Sequence, residues 1–300
     1  MKIFNVGCLR SIHLNHCICG FGSAYIYILG LYEFCDRHNI NFSFDKNGVM
    51  HHYIQNNKNI WDDLFESEFL VKSQNSDRKY HCELYIPPSP NPFFNFHAVI
   101  DENCCITNEW AQRLNPYLKF VQFKEKNCIK KYELSDDLPK NYFGIHMRGT
   151  DSNTHGQIDK VEKKLIQIKE NFEKSNCEKI FLMTDDQKYF DAVTNYFGKN
   201  VIFVRNIIRS TNSLPLHEAY KNNYHQYSER SIEHLQDLFY ELKILSNSNK
   251  CLLGISSITP VAKVMNPDLQ ITMFGDRRNE MIYWKNEPMH DLGFTYHEIK

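Results

Sequence analysis

"KIFLMTDDQKYFDAVTNYFGKNVIFVR", residues 179 to 205, reads as a strand, a helix and a second strand in immediate succession. "KIFLMT" is a continuous apolar run too short for a helix. "DDQKYFDAVTNYFG" opens on acids, which suit the positive end of a helix dipole, and closes on Gly198, a residue that accepts the left-handed conformation of a helix stop. "VIFVR" is apolar again. The rest of the C-terminal half repeats the alternation. "YFGIHM" at 142 to 147 is a strand, and Ile158, Val161, Leu165, Ile168 and Phe172 recur at spacings of three and four, the mark of a one-faced helix. A further helix over 230 to 247 puts Ile232, Leu235, Leu238, Phe239, Leu242 and Leu245 on one side, and is followed by the strand "KCLLGI", a helix start at "SSITPVAKVMN" and the strand "QITMFG". Strands alternating with helices predict a parallel sheet with helices on both faces.

The first half is less regular. Its apolar run "AYIYILGLYEFC" at 24 to 35 lies in a helix from about 23 to 38, which leads into the strand "INFSFD". That fits a second α/β lobe. "YIPPSPNPFFNF" holds four prolines in a span too short for any element and reads as loop. The polar run "KEKNCIKKYELSDD" between Phe123 and Leu138 is the natural passage between lobes. The expected division is therefore an N-terminal α/β lobe over 1–138, taken as the acceptor side, and a C-terminal Rossmann-like nucleotide-sugar-binding lobe over 139–300. Ligands of such sheets bind beyond the carboxyl ends of the strands.

Composition removes several classes. The chain has 300 residues, 42% of them apolar and 24% charged, which is globular, and its net charge of -1 gives no field to hold a long nucleic acid. The longest apolar run is well short of the ~20 residues needed to span a bilayer. Charge, His and Gly interrupt the N-terminal segment before it could act as an export signal, so the ten cysteines are expected to be reduced thiols in a cytoplasmic protein. Cys17 and Cys19, with His13 and His16, form the densest cluster of metal-ligand types. No second pair at zinc spacing follows, and no metal site is expected. No phosphate-binding G-x-x-x-x-G-K-[ST] loop occurs either.

Three strand ends carry the polar residues. The first supplies His146, Arg148 and Asp151, the second Thr184, Asp185 and Asp186, the third Ser256 and Ser257 at the start of a helix. Hydroxyls at a helix N-terminus, with free N–H groups and the positive dipole end, suit a phosphate, and an arginine beside them suits a diphosphate. Each residue also has a purely structural reading. Ser256 could cap its helix, the acids after "IFLMT" could do the same, and His146 could be a core histidine. Asp185 could alternatively accept the two N–H donors of a guanine edge.

Taken in order from Cys19 to Met265, "CGFGSAYIYILGLYEF", "HMRGTD", "IFLMTDD" and "LQDLFYELKILSNSNKCLLGISSITPVAKVM" resemble the motif series of the α1,6-fucosyltransferase, protein O-fucosyltransferase and nodulation fucosyltransferase superfamily. The resemblance implies a GT-B architecture, two Rossmann-like lobes with a donor cleft between them. It also implies an inverting, metal-independent enzyme that moves L-fucose from GDP-fucose to a glycan hydroxyl. By the same resemblance Arg148 holds the β-phosphate, His146 and Asp185 lie around the guanosine, Ser256 and Ser257 lie at the pyrophosphate, and Gly20 and Gly22 bring backbone close to the donor. No D-x-D occurs in the chain, so Arg148 and the helix dipole are expected to neutralise the leaving diphosphate without a cation.

Two departures stand out. The α1,6 enzymes have a second arginine directly after the first, where this chain has Gly149, and the missing charge could come from Arg205 or Arg209. The carboxylate proposed as their general base falls near Gly156, leaving His155, Asp159 or Asp151 itself to take the acceptor proton. Two rival readings keep the same fold: a transferase of another GDP-sugar such as GDP-mannose, and a non-catalytic GDP-binding module.

Overall fold

The computed structural model describes residues 9–17, 21–49, 60–72, 80–86, 108–127, 132–149, 161–211, 231–254, 256–274 and 293–298. In chain order the elements are β1 (Leu9–Cys17), α1 (Phe21–Arg37), β2 (Asn41–Phe44), α2 (Lys46–Val49), α3 (Ile60–Leu64), β3 (Phe65–Ser67), β4 (Tyr80–Ile86), α4 (Asn108–Leu114) and β5 (Val121–Phe123). Then come β6 (Tyr142–Met147), α5 (Val161–Ser175), β7 (Lys179–Thr184), α6 (Gln187–Phe197), β8 (Val201–Ile202), α7 (Ser231–Ser246), β9 (Lys250–Leu253), α8 (Ile258–Met265), β10 (Gln270–Met273) and β11 (Gly293–Glu298).

The second half forms a five-stranded parallel sheet in the order β10-β9-β6-β7-β8. Each strand expected from the sequence is present. The strands are apolar throughout because both faces are covered. Phe143, Ile145, Met147, Ile180 and Leu182 pack with Ile168 of α5 and Tyr189 and Val193 of α6. On the opposite face Tyr142, Phe181, Met183 and Leu253 pack with Leu235, Phe239, Leu242 and Leu245 of α7 and with α8. Gly198 closes α6 at φ +54°, the conformation its sequence position anticipates.

This strand order has a direct consequence for function. From β6 the chain moves outward to β7 and β8 in one direction, then returns to place β9 and β10 on the other side. The reversal lies between β6 and β9. In open α/β sheets such a reversal is where a ligand crevice forms beyond the carboxyl ends of the strands.

The first half forms a four-stranded sheet, β11-β4-β1-β2, in which β1 runs parallel to β2 and β4. A short antiparallel ribbon, β3 with β5, stands beside it. The helix α1 is apolar almost all round and is accordingly interior, with Ala24, Ile28, Leu29 and Tyr32 fully buried. Its Phe21 and Tyr25 rings meet Phe239 of α7 at 5.0 and 5.6 Å, and Phe65 and Phe123 join the same ring cluster at 5.1 and 4.8 Å from Phe239. One apolar core therefore runs from the first sheet into the second.

The strand β11 departs from the expected division at 138/139. It pairs antiparallel with β4, Gly293 opposite Tyr85 through Glu298 opposite Tyr80, and so belongs to the first sheet. The passage between lobes is tied to the second one. Leu134 bridges Val204, and Arg205 donates to the carbonyls of Leu134 and Ser135 at 3.2 and 3.0 Å.

Candidate functional site

The carboxyl ends of β6 and β9 are stitched together at the crevice. The Gly254 N–H donates to the His146 carbonyl at 2.9 Å, which carries the pairing of β6 and β9 one residue past the strand. The Thr259 hydroxyl donates to the Gly254 carbonyl at 2.8 Å and ties the first turn of α8 to the same point. The N-terminus of α8 is thereby held beside Arg148, whose N lies 3.7 Å from where a Cβ on Gly254 would be. Sequence reasoning did not single out Gly254. A glycine ending the run "CLLG" was the available sign.

Ser256 and Ser257 divide the roles the sequence left open. Ser256 Oγ accepts from the Ile258 N–H at 3.3 Å, so it caps α8, and its own O–H can still donate outward. Ser257 makes no capping bond with its side chain. Facing it is Gly22, in the first turn of α1. A Cβ on Gly22 would fall 2.7 Å from Ser257 Oγ and 3.1 Å from the Ser257 carbonyl carbon, so only glycine lets the two helices approach this closely. Two helix N-termini, one from each half of the chain, meet at the end of β6 and β9. A helix N-terminus favours an anion, and here two of them lie side by side.

His146 projects from β6 on the α7 and α8 face and is 5% exposed. Burial, with the neighbouring Arg148 charge, pushes its pKa down to about 3, so it is a neutral imidazole at physiological pH. Its Nδ1 has no hydrogen-bond partner among the described residues. Buried polar atoms in folded proteins are paired with few exceptions, so an imidazole nitrogen left this way beside a crevice suits a ligand contact. Arg148, two residues on, is half-buried.

The two acids after β7 have separate tasks. Asp186 is the N-cap of α6, its carboxylate accepting from the N–H groups of Lys188 and Tyr189 at 2.7 and 3.3 Å. Asp185 accepts the Gly149 N–H at 2.9 Å. Gly149 itself is closely confined, since a Cβ there would lie 2.2 Å from Asp186 Cβ. The glycine that replaces the second arginine of the resembled family is thus required by its own surroundings.

Neither arginine expected to compensate reaches the strand ends of β6 and β9. Arg205 is exposed and is bound to carbonyls of the interlobe passage. Arg209 lies beneath the surface, 4.1 Å above the Phe190 ring and 3.9 Å from Glu241, with its side chain 6% exposed. In the first sheet His13 is bonded through Nδ1 to Ser43 Oγ at 2.7 Å. Gly20, Cys19, Asp151, His155 and Asp159 lie outside the described residues. Among those described, no helix is long and apolar enough to cross a membrane.

No protein-family model matches the chain, and no characterised protein matches it in sequence. Solved structures do. A NodZ α1,6-fucosyltransferase co-crystallised with GDP superposes with a TM-score of 0.51 at 12% identity, over 97% of this chain and 99% of that one. The fucosyltransferase NodZ from Bradyrhizobium superposes with a TM-score of 0.50 at 13% identity over the same shares. At such identities the likeness is one of fold, and it extends over both lobes: the chain has the GT-B arrangement of two Rossmann-like α/β units.

Proposed function

We propose that this protein is a glycosyltransferase that moves L-fucose from GDP-fucose to a hydroxyl of an oligosaccharide or glycoconjugate acceptor, with inversion at the anomeric carbon and without a metal ion. The observation that carries the reading is the meeting of Arg148, buried His146, whose Nδ1 has no partner among the described residues, and the first turns of α1 and α8 at one strand-order reversal. It is supported by a fold shared with an enzyme crystallised with GDP.

In this reading the diphosphate lies between Arg148 and the start of α8. Ser256 and Ser257 offer hydroxyl donors, and the backbone at Gly22 approaches from the first lobe. The neutral His146 contacts the nucleoside. As the acceptor hydroxyl attacks the anomeric carbon, negative charge grows on the leaving β-phosphate. A fixed guanidinium and oriented N–H dipoles stabilise that charge without reorganising, which is the work a cation does in transferases with a D-x-D pair. The absence of D-x-D from the sequence fits this division. The acceptor binds on the first-lobe side, and Asp151 or His155 takes its proton. A cytoplasmic setting fits the free thiols of Cys35, Cys177 and Cys251.

The confinement of Gly149 by Asp186 favours one second reading, a GDP-binding module without turnover, because it denies the site a second adjacent cation. One experiment separates the readings. The protein is incubated with GDP-fucose or GDP-mannose, with and without EDTA, on an oligosaccharide array, and products are weighed by mass spectrometry. A deoxyhexose increment from GDP-fucose that survives EDTA supports the proposal. A hexose increment from GDP-mannose alone moves the donor assignment. Calorimetric GDP binding with neither transfer nor hydrolysis supports the module.

A further inference from the structure

The strand end that carries Arg148 is held from one side by three consecutive residues of β7 and the turn after it. Thr184 Oγ1 donates to the Met147 carbonyl at 2.7 Å, immediately before Arg148. Asp185 Oδ1 accepts the Gly149 N–H at 2.9 Å, immediately after it. Asp186 fills the space a side chain at 149 would need. These contacts begin where ordinary pairing stops, since the β6–β7 ladder ends at Met147 opposite Thr184. Past that point a strand end has no sheet partner to fix its φ and ψ, and a guanidinium at the tip of a long side chain amplifies any backbone movement.

The turn that supplies these groups is itself fixed. The Asp186 N–H reaches Thr184 Oγ1 at 3.3 Å, the Ser210 N–H donates to the Asp185 carbonyl at 2.8 Å, and the Gln187 N–H donates to the Ser210 carbonyl at 2.9 Å. We propose that Asp185, with Thr184, is a positioning residue: its carboxylate clamps the Gly149 amide and so sets the backbone on which Arg148 is aimed into the crevice. This rests on the reading of Arg148 as the diphosphate ligand. It assigns Asp185 to the protein backbone, where the family resemblance assigned it to the guanosine.

The two assignments differ in what an amide can replace. Asn keeps a carbonyl oxygen that can accept one N–H, which suffices for Gly149. Toward a guanine edge Asn replaces one acceptor by a donor and opposes the base. The test measures Asp185→Asn and Asp185→Ala for donor turnover with GDP-fucose, for calorimetric affinity toward GDP and inosine diphosphate, and for the exchange rate of the Gly149 amide in [15N]glycine-labelled protein. A misaimed catalytic group costs about 10- to 100-fold, so Asp185→Ala is expected to lose that much in kcat, with Asp185→Asn recovering all but a few-fold. The ratio of GDP to inosine diphosphate affinity should stay constant across all three proteins, and Gly149 exchange should quicken in Ala alone. A loss of GDP preference in Asn as large as in Ala would return Asp185 to the base. Gly149 exchange that is the same in Ala as in wild type would overturn the clamp. That last readout needs no activity, so if the wild type neither binds GDP nor uses GDP-fucose, the functional reading fails while the clamp is still judged by exchange.

Discussion

His146 lies in β6 and Arg148 just past its end, and the proposed function gives the two different electrostatic parts. Arg148 brings the positive charge, and Arg148→Ala is expected to remove about 2 to 4 kcal/mol of transition-state stabilisation, at least tenfold in rate, as measured by donor turnover in a folded variant. His146 must stay neutral to be buried next to it. Its pKa of about 3 in the folded protein lies below the ordinary 6.5, so the unfolded chain takes up the proton first as pH falls. His146 therefore contributes nothing to pH dependence above 6.5 and progressively destabilises the fold between 6.5 and 3. The cost is about 2 kcal/mol by pH 5, from 1.36 kcal/mol per pH unit below 6.5. Thermal melts of wild type and His146→Gln at pH 7.5 and pH 5 check this, and the drop on acidification should be visibly smaller in the variant.

At the level of elements, α6 depends on its first residue. Asp186 satisfies two N–H groups that the helix cannot pair internally, and Asp186→Ala should cost about 1 kcal/mol in urea unfolding, near the middle of the range for lost N-caps. This helix also shows how far the sequence could be read. The acids, the apolar period and Gly198 announce its start, its buried face and its stop, and each is where expected. The same letters could not say which acid capped and which reached across to Gly149, because the choice depends on the position of β6, more than thirty residues away in sequence. Arg209 was illegible for a similar reason. Only the packing of α6 and α7 reveals a Phe190 ring and a Glu241 carboxylate waiting for it. The parallel sheet was readable because buried strands are apolar end to end. The first lobe was harder, since its last strand comes from the other end of the chain and pairs antiparallel in an otherwise parallel sheet.

At the scale of the molecule, the ring cluster around Phe239 joins α1 to α7 and makes one core of two lobes. Phe239 is 3% exposed, and Phe239→Ala should cost about 3 to 5 kcal/mol, in the range for a large aromatic removed from a core. Calorimetry should show the wild type melting in a single transition, and the variant melting lower in one transition also, because neither lobe keeps a complete core without the other. Two separate transitions would mean that the lobes are independent.

The return of β11 to the first sheet means that the polypeptide passes between the lobes twice, once near Leu134 and once between Met273 and Gly293. A single crossing would let either lobe be cut from the chain as one continuous piece. Two crossings do not: the piece that ends before Leu134 lacks the strand that pairs with β4, and that edge of the sheet would stand open.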